Sequence, residues 1–595
     1  MEIVKQNLKE CNVHNIKKNG KVNTQIKNRK LKNTKINGKK IIDTKIKEMQ
    51  AKSPKLKNTK INSTKIKRIK SKEGFAQGIF AMMTSQVVVK VLGLFYKLYL
   101  TNRSGFGDEG NAIANAGFQV YALMLSITAI GIPGAISKII AKKLSIGDHR
   151  GANKILKMSL MIFATVGLVG SYFLYSFADT FANQYLHIKE AKLSIIALSP
   201  SIFLVSVISV LKGYFNGRES IKTTAKAQGI DQFVNTILTI STIELMVFIT
   251  KRTNTERMAA ISNLSTTFGN IAELTYLIKE YIKIKPEIKK EILSSADIEN
   301  TRIKVLLKEI AKVAIPISLT ALIMSISKNI DSTTIVKELS NVVGYKEAKK
   351  QYGILSGKVD PLINLPLSFN MAIITALLPS ISATNGNADK INKRIFQSYF
   401  IGMAISFPVL FIYMCYPNEI LNLLFPNATS GWKILRVSAI SIIFITLEQI
   451  NNTILEGLEK PFVPIISILI GVIVKAILNR ILVPQVNTPY GGTIGACIST
   501  VMCHIVATLI SIKGLKSIKN IKLNARSNIK AIAIPLILSI AMIAITKAIN
   551  NVFFREVFGT INYKVGFIIS LVIGMNVYLI LTFKILSKNN KTISN

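Results

Sequence analysis

Two lysines, Lys90 and Lys97, stand seven residues apart inside the apolar stretch VVVKVLGLFYKLYL. That spacing puts both ammonium groups on one helix face, two turns apart. A lysine near the centre of a bilayer costs about 2.5 to 3.5 kcal/mol to insert, so Lys90 is expected to face a partner or a wet cavity rather than lipid, while Lys97, nearer the outer end, has snorkelling there as an alternative. The chemistry two such groups suit is recognition of an anion, phosphate above all. A second irregularity is GIPGAISKII, residues 131–140. Pro133 cannot donate to the carbonyl of Ala129, and Gly131 and Gly134 ease a bend. The helix from Pro133 onward is therefore expected to begin inside the membrane, with partial positive charge at that end and Lys138 about a turn further along. Transporters turn such half-helix ends toward anionic substrates; the plainer reading is a packing kink, with Lys138 snorkelling beside Lys142 and Lys143. Lys90, Lys97, Pro133 and Lys138 are the candidate substrate-binding residues.

Asp331 ends the seventh apolar run, Glu448 lies in the tenth and Lys475 in the eleventh. These three are candidates for a charge pair or an ion-coupling site, with Glu448 and Lys475 one bridge to consider. The intramembrane ionisable groups are more cationic than anionic, which favours a phosphate-bearing substrate over a cation. No GxxxxGK[ST] loop, HExxH helix or GxSxG elbow occurs, so neither ATP hydrolysis nor hydrolase chemistry has the residues it needs. No catalytic residue, metal site or cofactor is expected. Cys11, Cys415, Cys497 and Cys503 fit neither a disulfide framework nor a zinc spacing.

The elements that must position these groups are membrane helices. A 595-residue chain that is 49% hydrophobic, with a mean hydropathy of +0.38 and a formal net charge of +45, fits a polytopic membrane protein with its basic residues in loops and tails. Fourteen apolar runs follow Phe75, from 77–100 to 564–586, the sixth (259–278) being the weakest. Residues 1–72 hold 23 Lys or Arg against 4 Asp or Glu, and repeat LKNTKIN at 31–37 and 56–62. This segment is expected to be a disordered cytoplasmic tail available to anionic lipid. It has no aromatic residue, so no specific nucleic-acid site is expected, and it does not resemble a signal peptide. With the N-terminus inside, the inner loops carry about twice the Lys and Arg of the outer ones, which places both termini in the cytoplasm.

An internal repeat sets the architecture. LKGYFNGRES begins at Leu211 and LEGLEKPFVP at Leu455, an offset of 244; GAIS at 134–137 matches PSIS at 379–382, an offset of 245. The expectation is an all-α polytopic protein of about 14 transmembrane helices in two six-helix lobes plus two C-terminal helices. Its parts are the tail (1–72), the first lobe (73–278), a cytoplasmic connector (279–309), the second lobe (310–512) and the last two crossings with the C-terminal tail (513–595). Two lobes of six crossings share one orientation, related by an axis along the membrane normal. Gly131, Gly134, Gly213, Gly217 and Gly457 are candidate hinges.

These stretches resemble a known family. VLGLFYKLYLT, GIPGAISKIIAKKL, LKGYFNGRES, YGILSGKVDPLINLPLSFNMAIITALLPSIS and LRVSAISIIFITLEQINNTILEGLEKPFVPIISILIGVIVKAILN look like the stage V sporulation protein B type of polysaccharide transporter. That type belongs to the multidrug/oligosaccharidyl-lipid/polysaccharide (MOP) exporter superfamily, which includes the MATE multidrug transporters, and is similar to the MurJ lipid II flippases. The resemblance implies a fourteen-helix, two-lobed flippase of the bacterial cytoplasmic membrane. It would carry an undecaprenyl-pyrophosphate-linked glycan or peptidoglycan precursor outward by alternating access, with a cationic cavity for the pyrophosphate. Lys90, before Val91-Leu92-Gly93, matches a basic position of the MurJ first helix, and Lys97 lies one position from a second. Two further MurJ arginines fall near Leu125 and Pro361 and are missing here. The expected partners are the lipid-linked glycan and the phospholipid bilayer, with the chain a monomer. The alternatives are a MATE-type cation antiporter, which would need a buried acid in the first lobe, and a membrane glycosyltransferase or ligase, for which Asp108 and Glu109 are the tempting pair.

Overall fold

In hydrocarbon a chain must satisfy its own backbone hydrogen bonds, so apolar runs of this length are driven to helix. The computed structural model, which describes residues 75–295, 303–382, 388–458, 460–518, 525–551 and 563–594, is helical along those runs and has no strand among the described residues. The basic tail lies outside the described residues.

The first half contains α1 (Phe75–Asn102), α2 (Gly107–Thr128), α3 (Ile132–Ser145), α4 (His149–Ser176), α5 (Ala191–Gly217), α6 (Ile221–Thr250) and α7 (Thr255–Leu293). The second contains α8 (Ile303–Val343), the short α9 (Tyr345–Ile354), α10 (Asp360–Ser382), α11 (Ala388–Cys415), α12 (Pro417–Leu424), α13 (Trp432–Ala439), α14 (Ser441–Gly457), α15 (Phe462–Leu482) and α16 (Gly492–Lys516). Then come α17 (Ala525–Ile549) and α18 (Tyr563–Ser594). Among the described residues eleven helices are long and apolar enough to cross a membrane, α2 and α3 counting as one and α13 and α14 as another. The other three expected crossings, the first, sixth and eighth, fall on the helices α1, α7 and α10, outside that set. The expected connector 279–309 is largely helix: α7 continues to Leu293, with Arg218 bidentate to Glu291 at 2.9 Å on both nitrogens, and α8 begins at Ile303.

The second crossing breaks where its sequence predicts. α2 stops at Thr128, α3 starts at Ile132 with Pro133 in its first turn, and Gly131 is the N-cap. Leu211 and Leu455, the repeat anchors, are both buried near the ends of α5 and α14, the fourth crossing of each half.

Candidate functional site: the seam between the lobes

α1 runs beside α6 in the same direction: Ser85 donates to Ala225 O at 2.6 Å, Gln86 to Gln228 at 2.7 Å, and Arg103 pairs with Glu244 at 2.8 Å. Gln86, Lys90, Gly93 and Lys97 follow the four-three-four spacing of one helical stripe. At one end of this stripe Lys97 Nζ donates to Asn115 Oδ1 of α2 at 2.9 Å, and Asn115 Nδ2 donates to Ser356 Oγ of the second half at 3.3 Å. Lys90 lies about 10 Å along the same stripe, at 1.5 Å per residue. It is exposed, with no partner among the described residues. The stripe therefore runs from a closed contact between the halves at Lys97 to an unengaged ammonium at Lys90.

Beyond Lys97, toward the end of the bundle that carries the loop 103–106 (the far end), the halves are joined by buried charge. Lys358, fully buried, lies 2.8 Å from Asp108 Oδ1 and donates to the carbonyls of Ala428 at 2.7 Å and Ser430 at 2.8 Å. It sits on a π-helical turn, Leu355–Val359, where Gly357, having no Cβ, leaves room for Asn111. Lys349 of α9 bridges Glu109 at 2.7 Å and Glu190 at 2.6 Å, and Tyr345 donates to Glu190 at 2.6 Å. Burial alone would raise Glu190 and lower Lys349, but the hydrogen bonds win: those from Lys349 and Tyr345 hold the Glu190 carboxyl below its usual range, and those to Glu109 and Glu190 hold the Lys349 ammonium above its own. Asn102 Nδ2 donates to Leu424 O, and Asn427 Nδ2 to Asn102 O, each at 2.8 Å. Asp108 and Glu109 are thus each engaged by a lysine of the other half.

On the side of α8 the seam is packed closely. A Cβ on Gly131 would stand 2.4 Å from Ala314 O and 2.5 Å from Ser318 Oγ, so only glycine fits. The half-helix end at Pro133 accordingly abuts α8. Gly134 approaches Ile317, and Lys142 reaches Glu309 at 3.4 Å, so Lys138, one turn from each, stands exposed on that same face of α3. Gly213 and Gly217 are points of close approach between α5 and α3, against Ile136 and Ile140; Gly457 ends α14.

The charges of the second half pair differently from the bridge considered above. Lys475 Nζ meets Asp331 Oδ2 at 2.6 Å and Ser327 O at 2.9 Å, while Glu448 Oε2 lies 2.6 Å from His504 Nδ1. A Glu448–Lys475 bridge is therefore corrected to two separate pairs, because Asp331 of α8, held by a bond from Asn479 Nδ2 of α15 at 3.0 Å, takes the lysine. Lys328 pairs with Asp360 at 2.7 Å. The first half holds two acids that sequence reasoning passed over: Glu273 of α7, paired with Lys212 at 2.7 Å, and Asp231 of α6, lying against Gly269. A lone acid within an apolar run was the available signal.

The family described as "Polysaccharide biosynthesis protein" matches residues 75–385, just over half of the chain. The chain belongs to that family. A second family, MatE, matches residues 357–481. Stage V sporulation protein B of Bacillus subtilis is 25% identical over 453 residues, covering 74% of this chain and 83% of its own. Lipid II flippase MurJ of the same organism is 25% identical over 455 residues, covering 73% and 81%. Among solved structures, a lipid II flippase MurJ in an inward closed conformation aligns with a TM-score of 0.60 at 17% identity, over 86% of this chain and 99% of that one. An inward-facing MATE transporter of the MOP superfamily aligns at 0.58 and 16%, over 74% and 99%. The fold is the one these MurJ and MATE structures share, and the chain is a multi-pass membrane protein of the polysaccharide biosynthesis family.

Proposed function

We propose that this protein is a flippase for an undecaprenyl-pyrophosphate-linked oligosaccharide or peptidoglycan precursor, working by alternating access with both termini in the cytoplasm. The observation that carries the reading is the Lys90–Lys97 stripe. One cation of the stripe is engaged where the halves meet, and the other is exposed on the same face without a carboxylate beside it. In this assignment the far end is the outer one, and the charge contacts there are the outer gate. Lys90 takes the pyrophosphate by charge-assisted hydrogen bonds, the sugar rides in water between the lobes, and the prenyl chain stays in lipid. Lys97, released from Asn115, takes over the anion as the outer gate opens. Lys138 would meet the head group only if the α3–α8 seam parts, with Gly131 and Gly134 as the bend; Gly213, Gly217 and Gly457 would serve closure at the inner ends. The tail would hold anionic lipid.

Binding of lipid II, another undecaprenyl-pyrophosphate glycan and a cationic drug, measured by native mass spectrometry on wild type and Lys90→Ala, tests the assignment. Selective binding of a pyrophosphate lipid, weakened at least tenfold in the variant, is expected. Lipid binding indifferent to Lys90 would overturn it. A second reading, a MATE-type antiporter, draws on the first-lobe acids Glu273 and Asp231; drug binding alone would favour it.

A further inference from the structure

Each buried charge of the second half has an opposite charge beside it among the described residues, with one exception. Asp331 has Lys475, Lys358 has Asp108, and Lys349 has Glu109 and Glu190. The exception is Glu448 of α14, 4% exposed, whose charged-group partner is His504 of α16, 6% exposed. An imidazole is charged only when it holds a second proton, and its ordinary pKa lies near neutrality. An ionised Glu448 beside a neutral His504 would leave one uncompensated negative charge in the lobe interior, which costs several kcal/mol. With one more proton the dyad is neutral overall, whichever of the two groups carries it.

We propose that the Glu448–His504 dyad is a proton-binding site, occupied in this conformation and emptied in the other one of the transport cycle. The groups packed around it neither supply nor cancel its charge. On α15 and α8, Lys475 and Asp331 neutralise each other at 2.6 Å, and Lys328 of α8 is matched by Asp360 of α10 at 2.7 Å. From α10 and α11 come neutral groups: Asn370 donates to Ser406 and Thr446, and Tyr399 to Asn451, which donates to Ser511. On α13 Arg436 is exposed and lies over Trp432; on α14 itself Glu456, two turns on, is exposed. On α16 Cys503 lies within electrostatic reach of Glu448, Asp331 and Lys475. The polar side chains lining α14 and α16 place hydrogen-bonding groups along both helices, so a proton at the dyad is bound within a polar layer rather than in oil. Glu448 and His504 are both buried in this conformation, so release of the proton needs a rearrangement that brings water to the dyad.

The test contains no substrate, so its failure is distinguishable from failure of the flippase reading. Nitroxides on Arg252→Cys and Thr429→Cys, two exposed far-end residues of opposite halves, with Cys11 and Cys415 replaced, report far-end closure by electron–electron distance in nanodiscs. In the otherwise native chain the closed-to-open ratio is expected to fall from pH 5.5 to 8 by threefold or more per unit, up to the about tenfold limit for one proton. Glu448→Gln, which keeps the side-chain size and a hydrogen bond to the imidazole, is expected to abolish that slope, whereas His504→Gln leaves a buried carboxyl that still needs a proton in the closed state and is expected to keep one. A flat native profile, or a slope that survives in Glu448→Gln, overturns the proposal. Should His504→Gln fail to fold, Glu448→Gln and the native profile still decide.

Discussion

Replacing Lys358 with methionine should open the far end. The native ammonium is fully buried, 2.8 Å from an Asp108 oxygen, and satisfies the carbonyls of Ala428 and Ser430. Methionine keeps the bulk of the side chain and removes the charge and all three donors. Asp108, 7% exposed, is then left as a buried anion, with Ser430 Oγ at 3.1 Å as its remaining donor. Removing one partner of a buried pair costs about 3 to 5 kcal/mol. If water wets these groups once the halves separate, the penalty falls on the closed conformation alone, and 3 kcal/mol moves the closed-to-open ratio by about 150-fold. The nitroxide pair at positions 252 and 429 would then read a mainly closed population becoming mainly open. Asp108→Asn combined with Lys358→Met removes the orphan charge and should recover most of the closed state, giving a large coupling in the double-mutant cycle. A folded Lys358→Met protein with an unchanged distance distribution would refute the reasoning, since it would mean that Asp108 finds equivalent solvation without the lysine.

Two further outcomes follow from the same contacts. Glu190 titrates below and Lys349 above its ordinary range. The carboxylate's share of closure is therefore present above the ordinary Glu pKa of about 4.3 and lost as pH falls through the lower folded value; the ammonium's is lost only as pH rises past about 10.4 and through its raised value. Lys349→Ala should weaken far-end closure between pH 5 and 9, seen with the same labels, and unchanged distances there would count against the bridge. Gly353→Ala should act sterically: its Cβ would stand 1.8 Å from Asp108 O, a clash that moving a side chain cannot relieve, so a loss of about 1 to 3 kcal/mol in the closed state is expected, measured as a fall in the thermal midpoint.

The membrane solvent made much of the fold readable from residues alone. Hydrocarbon leaves an apolar run of twenty residues little choice but helix, and Pro133 between two glycines marked the break between α2 and α3 correctly. The stripe of Lys90 and Lys97 was also readable, because a spacing of seven is a local property of one helix. Pairing was not. Lys358 and Asp108 are 250 residues apart, Lys475 and Asp331 are 144 apart, and nothing in either neighbourhood says which acid a lysine will meet. The Glu448–Lys475 expectation failed for that reason. The half-helix end at Pro133 was placed correctly along its crossing, yet the residues that cover it, Ala314 and Ser318, belong to the other half.

The far-end charges that pair across the seam are sorted by half: Asp108, Glu109 and Glu190 in the first, Lys349 and Lys358 in the second. A pair within one lobe could never report on separation, whereas these pairs would break if the halves parted. Burying a matched pair returns little net free energy, because the attraction gained is close to the hydration lost, while burying one member alone is strongly unfavourable. A gate built this way is selective without being deep. It seats the halves in one register and rejects misregistered closure, yet whole pairs can pass into water at small net cost. The apolar far-end contacts therefore need not be strong, and a modest bias elsewhere suffices to tip the gate. One buried proton is such a bias: a tenfold change per pH unit is about 1.4 kcal/mol. Charge sorted across the seam and a titratable dyad inside one lobe are complementary devices, the first making the two conformations close in energy and the second choosing between them.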